Sequence, residues 1–260
     1  MNRCSDSSIE VVAARIGSTL AETGRLTVLT GAGISAESGV PTFRDLGGLW
    51  ERYRVEEVAS PEAFRRDPEL VYRFYNQRRA QLGTIEPNAG HRALAALEAL
   101  LGERFTLVTQ NVDDLHERAG SLRLLHMHGE LRKARCTRCA EVSPWFDELD
   151  AASRCPACGR RALRPHIVWF GEMPLHMDAA IPACLQTAVF LSVGTSGQVY
   201  PAAGFVAEAR AGGALAVEVN LEPTDTSAIF DCALQGPAGE ILPALVASLA
   251  SARPWSGASG

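Results

Sequence analysis

No run of apolar residues in this chain approaches the ~18 that a membrane-spanning helix needs. The opening stretch, MNRCSDSSIE, lacks the apolar core of a secretory signal. Positive charge is not in excess. Lys and Arg number 25 against 30 Asp and Glu, a net charge of -5, which argues against a general nucleic-acid or membrane surface. Internal repeats are missing too. With 260 residues, 47% of them hydrophobic and 21% charged, the chain reads as one large globular domain or one large plus one small. It is expected in the cytoplasm, as a monomer, with neither nucleic acid nor membrane as partner.

An even set of cysteines is also missing. There are seven, and four fall into C-x2-C-x15-C-x2-C: Cys136, Cys139, Cys155 and Cys158. In a reducing cytosol, two such knuckles point to four thiolates around a tetrahedral ion rather than to disulfides. Zinc is expected, and iron would fit the same cage. Four protein ligands leave no open position for water, so the ion is structural. Arg132, Lys133, Arg135, Arg138, Arg160 and Arg161 surround it, a solvated face or a contact for an acidic partner. Cys4, Cys184 and Cys232 remain and read as free thiols.

Local signals give an alternating chain. Ser7-Ser-Ile-Glu10 reads as a capping box opening a helix that ends near Gly24. Leu26 to Thr30 is a strand. Asp67-Pro68 caps a helix to Gly83, and Pro87-Asn88 opens another to Leu101. Strands follow at Phe105–Thr109, Leu122–Met127, Ile167–Phe170, Ala188–Val193 and Leu215–Val219. Helices are expected at Asp114–Arg118, Met177–Thr187, Ala202–Ala211 and Glu240–Leu249. This pattern predicts an α/β fold: a Rossmann-like parallel sheet with helices on both faces. From Leu131 to Leu163 the aliphatic periodicity is lost. The Rossmann-like domain is expected over 1–43, 88–130 and 164–250. A small domain of helical module and zinc ribbon takes 44–87 and 131–163, and 251–260 is a mobile tail. Polar motifs sit at the strand ends, beginning at Gly31, Gln110, His128, Gly194 and Asn220, where such sheets bind ligands.

The first strand runs into Gly31-Ala32-Gly33 and on to Ala36, a G-x-G-x-x-A fingerprint that lets backbone approach a pyrophosphate. What the ordinary dehydrogenase fingerprint requires, an acid closing the next strand, is not there; Asp45 to Arg54 is polar, aromatic and not strand-like. The longer string GAGISAESGVPTFR resembles the nucleotide-binding signature of the sirtuins, NAD-dependent protein-lysine deacylases. The resemblance runs from Leu26 to about Pro243 and includes RPHIVWFGE and VGTSGQVYPAA.

That likeness implies NAD consumed as co-substrate. Its contacts would be Gly31, Ala32, Gly33, Ala36, Thr42, Phe43, Arg44 and Trp50. Gln110, Asn111 and Asp113 of QNVD would add to them, as would Gly194, Thr195 and Ser196, then Asn220, Leu221 and Glu222, and Ala238. Phe43 would shield the reactive carbon from water. Val168, Trp169, Phe170 and Gly171 would pair their backbone with an acyl-lysine protein segment as an added strand. Of six histidines, His91 and His116 lie on predicted helices, and His126 and His128 are two apart. Only His128 precedes a glycine at a strand end, matching the catalytic histidine of the family's HG motif. It would act as general base on a ribose hydroxyl. The products would be nicotinamide, free lysine and O-acyl-ADP-ribose. Tyr75 and Arg78, three apart on the Asp67-capped helix, resemble the Tyr-x-x-Arg pair of the desuccinylase-like class, implying succinyl and malonyl removal beside acetyl. Three rivals remain at this point: an NAD-dependent ADP-ribosyltransferase, a nicotinamide dehydrogenase, and a zinc-ribbon module binding nucleic acid.

Overall fold

The computed structural model describes residues 8–21, 23–41 and 55–252. Thr42, Phe43, Arg44 and Trp50, expected at the cofactor, lie outside the described residues, as does Cys4.

Strand β1 (Leu26–Thr30) is buried at all five positions, because it is the middle of a sheet rather than its edge. It pairs in parallel with β2 (Phe105–Thr109) on one side and β7 (Val189–Val193) on the other. The sheet runs β3 (Leu124–His126), β2, β1, β7, β8 (Leu215–Asn220), β9 (Cys232–Gln235), with every neighbouring pair parallel. Helices α1 (Ile9–Leu20), α5 (Ala89–Leu101) and α9 (Ala238–Ala252) close one face through Ile16, Leu94, Leu97 and Leu242. Helices α7 (Met177–Leu185) and α8 (Phe205–Ala211) close the other through Cys184, Phe205 and Ala209 against Phe190. The strand order reverses between β1 and β7, and in such sheets ligands bind at that switch point.

Beside this sheet lie α2 (Val55–Val58), α3 (Pro61–Arg66), α4 (Pro68–Gln81) and the short α6 (Leu115–Arg118). Helix α4 starts as its sequence dictates: Asp67 Oδ1 accepts from Leu70 N at 2.9 Å, with Pro68 in the first turn. A second, antiparallel sheet is made of β4 (Gly129–Cys136), with β5 (Val142–Pro144) and β6 (Leu163–Ile167) on either side. Phe74, Tyr75, Leu115, Leu131, Ile167 and Trp169 form its core with the helical module.

Several expectations need correction. The strand read at Ile167–Phe170 lies at Leu163–Ile167 and belongs to the small sheet, pairing with β4. Residues 168–170 leave it as a loop, tied by Val168 N to His128 O and Phe170 N to Ala59 O. Helix α1 is capped by Ser8, one residue later than the Ser7 box; burial of Val12, Ala13, Ile16 and Leu20 fixes its phase. It ends at Leu20, where Ala21 leaves the helical conformation with φ 34°. Cys232, read as a free thiol, is disulfide-bonded, while Cys184 is free and buried. Helices α2 and α3 and strand β9 were not expected at all.

Buried histidines set an acid limit on this fold. Burial, with Arg92, pushes His91 down to about 4, and burial, with Arg135, does the same to His166. Burial holds His116 well below its ordinary value. Each is depressed relative to the unfolded chain, which therefore binds more protons below about pH 6.5. Stability is full above that value and falls as pH drops toward 4, by up to ~3 kcal/mol for each such residue. Thermal unfolding at pH 7 and pH 5 checks this: the melting temperature falls with pH, and His166→Asn makes the fall shallower. An unchanged slope in the variant would exclude His166 from the effect.

Candidate active site

Two glycine turns meet at the switch point. After β1, Gly31 leads into a 3-10 helix, Ala32–Ser38, that ends at Gly39 with φ 87°. After β7, Gly194 turns with φ 60°. Gly31 N donates to Val193 O and Gly33 N to Gly194 O at 2.9 Å. A Cβ on Gly33 would lie 2.6 Å from Gly194 Cα, and one on Gly194 2.5 Å from Ile34 N. No side chain fits between the turns, so both present bare backbone to whatever lies above the sheet.

The turn after β2 carries the polar groups. Gln110 N donates to Thr30 O, tying it to the end of β1. Asn111 Nδ2 donates to Ser35 Oγ at 3.0 Å, and Ser35 Oγ donates to Asp113 Oδ2 at 3.1 Å. Both ends of the Asn111 amide are thereby assigned: the NH2 group faces Ser35, and the carbonyl oxygen is left for a ligand. Burial pushes the Asp113 carboxyl up, and the Leu115 N–H and the Ser35 hydroxyl pull against it. His91 supports Ser35 from beneath. Its Nδ1 accepts from Asn88 N, so Nε2 carries the proton and points at Ser35 Oγ at 3.4 Å. Ser35 and His91 were not expected as site residues, although Ser35 lies inside the GAGISAESG string.

His128 follows β3, which stops at His126. Its Nδ1 lies 3.1 Å from Gln110 O. A carbonyl only accepts, so Nδ1 bears the proton and Nε2 holds a free lone pair. Burial lowers its pKa, which keeps the ring neutral near pH 7. A neutral imidazole with one nitrogen anchored and the other open can act as a general base.

The remaining expected contacts divide. Thr195 and Ser196 are half-buried beside the second glycine turn, and Asn220 Nδ2 donates to Thr195 O at 2.7 Å. Gln110 and Thr195 line one cavity with Ser192 and Thr226. Ala32 is half-buried, while Ala36, Leu221 and Glu222 are exposed. Ala238 is buried at the start of α9, beside Gly90, and Gly239 N there donates to Glu37 Oε2 at 2.7 Å. Glu37 is a further residue the motif string contained without announcing its role.

Tyr75 and Arg78 lie on the small-domain side. Trp169 Nε1 donates to Tyr75 OH at 2.9 Å, so the phenol proton is left to donate elsewhere. Burial raises Tyr75 to about 12, keeping it a neutral donor. Arg78 is half-buried with its Cζ 5.6 Å from the Phe74 ring, and Tyr75 and Asp113 support its charge against burial. Arg79 turns away, to Leu131 O at 2.8 Å and to Asn76 Oδ1. In the 168–171 loop, Val168, Trp169 and Phe170 have their N–H groups engaged by His128 O, Glu172 Oε2 and Ala59 O. Among the described residues, the carbonyls of Val168 and Phe170 and the N–H of Gly171 have no partner. Arg164 holds the loop, bonding Glu172 at 2.7 and 2.9 Å and stacking 3.3 Å from the Trp169 ring centre.

The four cysteines converge as their spacing predicts. Cys136 and Cys158 sulfurs are 3.7 Å apart, those of Cys139 and Cys155 3.6 Å, and all four lie within 4.8 Å of one another. A zinc ion with Zn–S of about 2.3 Å needs tetrahedral edges of about 3.8 Å, so the cage fits one structural zinc. Of the cations around it, Arg132, Lys133 and Arg135 pair with Asp114, Glu130 and Glu172. Metal analysis should return one zinc per chain, and Cys139→Ala should release it and loosen the small sheet. Fully active protein free of zinc and iron would contradict this.

The Sir2 family model matches residues 31–201. An NAD-dependent protein deacylase of Yersinia pseudotuberculosis is 58% identical over 221 residues, covering 84% of this chain and 80% of that protein. A Sir2 homologue solved as an NAD complex superposes with a TM-score of 0.84 at 41% identity, covering 96% of each chain. A further Sir2 protein, Sir2Af2 bound to a myristoylated histone peptide, gives 0.72 at 34% identity, covering 94% of this chain and 98% of its own. The matched span holds both glycine turns, the Gln110–Asp113 turn, His128 and the four-cysteine cage, and the chain belongs to the Sir2 family.

Proposed function

We propose that this NAD-dependent protein deacylase removes succinyl and malonyl as well as acetyl groups from protein lysines, with His128 as general base and Tyr75 and Arg78 reading the acyl carboxylate. The observation that carries the catalytic half is the open Nε2 of His128, whose other nitrogen is anchored on Gln110 O. Bound NAD supplies a ribose C1′ carbon from which nicotinamide departs and to which the acyl oxygen becomes joined. The glycine turns and the Thr195–Ser196 hydroxyls suit its phosphates and riboses. The Asn111 carbonyl oxygen and Asp113 face the nicotinamide side, held by Ser35. His128 takes a proton from a ribose hydroxyl, which lets the acyl group move to the sugar. The small-domain side presents the acyl pocket and the cysteine cage holds that side rigid; its sheet reaches past the expected 131–163, to Gly129 and Ile167. A protein segment enters along Val168 and Phe170, whose carbonyls remain to accept main-chain N–H groups, and Gly171 donates.

Nicotinamide release tests this. It should require an acyl-lysine peptide and match lysine release one for one. Nicotinamide release with the ADP-ribose ending on protein would favour the transferase reading instead. No helix among the described residues is long and apolar enough to cross a membrane.

A further inference from the structure

Two histidines leave β3 toward one turn and are held differently. Nδ1 of His128 meets Gln110 O at 3.1 Å, and Nδ1 of His126 meets Asn111 O at 3.2 Å. Both nitrogens face carbonyls, so both carry protons, and the two rings clamp consecutive carbonyls. The far nitrogens differ. That of His128 opens toward the cleft. That of His126 lies 2.7 Å from Glu117 Oε1 on α6. The imidazole is buried while the carboxylate side chain is 40% exposed, so the pair reaches from solvent to the floor of the site. Around the ring stand His116 from α6, Asp113 from the turn, and Glu130 from β4, itself ion-paired to Lys133 at 2.7 Å. Burial disfavours charge on His126, but the Glu117 carboxylate overcomes it and raises the ring above its ordinary value. His128 moves the other way. Two imidazoles pushed apart in this manner have separate tasks.

We propose that His126, locked by Glu117, is a positioning residue for NAD: it fixes the main chain at Asn111 and thereby aims the Asn111 and Asp113 side chains. The inference rests on the reading that the turn from Gln110 to Asp113 faces the cofactor. Asn111 and Asp113 share one hydroxyl, Ser35 Oγ, as donor and acceptor. A shift of the Asn111 main chain therefore disturbs both side chains at once. His128 keeps its own anchor on Gln110 O, so proton transfer is spared. The effect belongs to cofactor binding and not to the chemical step.

The test uses the full-length protein, direct NAD titration and steady-state kinetics, with His126→Ala, His126→Asn and Glu117→Gln. His126→Ala should weaken NAD by about threefold to tenfold, the worth of one hydrogen bond. KM for NAD should rise in step while kcat stays within about threefold, the signature of lost uniform binding. His126→Asn places an amide N–H where Nδ1–H stood and should recover most of the affinity. Glu117→Gln, at a partly exposed position, should fold and weaken NAD several-fold. Unchanged NAD affinity in a folded His126→Ala would overturn the proposal. So would His126→Asn no better than alanine, or a loss of kcat with affinity intact. Should His126→Ala fail to fold, wild-type affinity in Glu117→Gln overturns it alone. Wild-type protein that bound no NAD would overturn the underlying reading, and this proposal with it.

Discussion

His128→Ala should lose NAD-dependent deacylation and keep its fold. The reason is local. Among the described residues the ring makes one hydrogen bond, Nδ1 to Gln110 O, and losing it should cost about 1 kcal/mol of stability. Loss of a positioned general base lowers turnover by a factor of about 10² to 10⁴. The two effects separate cleanly because the open nitrogen does chemistry and the anchored one holds structure. NAD binding should survive, since the glycine turns and the Ser35-linked pair are untouched. Turnover and melting temperature are measured on the same sample. Near-normal turnover by the folded variant would remove His128 from the mechanism.

Arg78→Met separates acyl classes. In the wild type, a guanidinium can grip a distal carboxylate at two points while Tyr75, whose oxygen already accepts from Trp169, donates its phenol proton. Succinyl and malonyl groups carry that carboxylate; acetyl does not. Removing the cation leaves one partner of a buried charge pair alone, so kcat/KM on the dicarboxylic groups should fall by roughly 2 to 5 kcal/mol. On acetyl-lysine the change should be much smaller, because acetyl carries no carboxylate for the guanidinium to grip. Methionine keeps much of the volume over the Phe74 ring, so a packing defect does not mimic the result. Equal losses on both substrates would defeat the selectivity argument while leaving deacylation standing. Arg79→Met is the control: its guanidinium serves Leu131 O and Asn76, and its loss should lower stability without choosing between acyl groups.

The parallel sheet was legible because its strands are short apolar runs ending in glycine or polar turns, and burial confirms β1, β2 and β7 almost to the residue. The cysteine cage was legible because ligand spacing is itself geometry. The misplaced strand β6 shows where such reading fails. Leu163-Arg-Pro-His-Ile167 contains a proline and two basic residues, yet all five positions are buried. Arg164 is accommodated by Glu172 and the Trp169 ring, and Pro165 sits opposite Ala134, partners that hydropathy cannot supply. Within the site, the glycines and His128 announced themselves by position. Ser35, His91 and the Glu117–His126 pair did not, because their roles depend on which hydrogen-bond partner the fold brings to each atom.

Mass spectrometry of acetyl-, malonyl- and succinyl-lysine peptides incubated with and without NAD tests the central claim most directly. With NAD, each peptide should lose its acyl mass while an ADP-ribose species heavier by that acyl group accumulates, and without NAD nothing should change. Acyl loss independent of NAD, or ADP-ribose found on protein with every peptide still acylated, would contradict it.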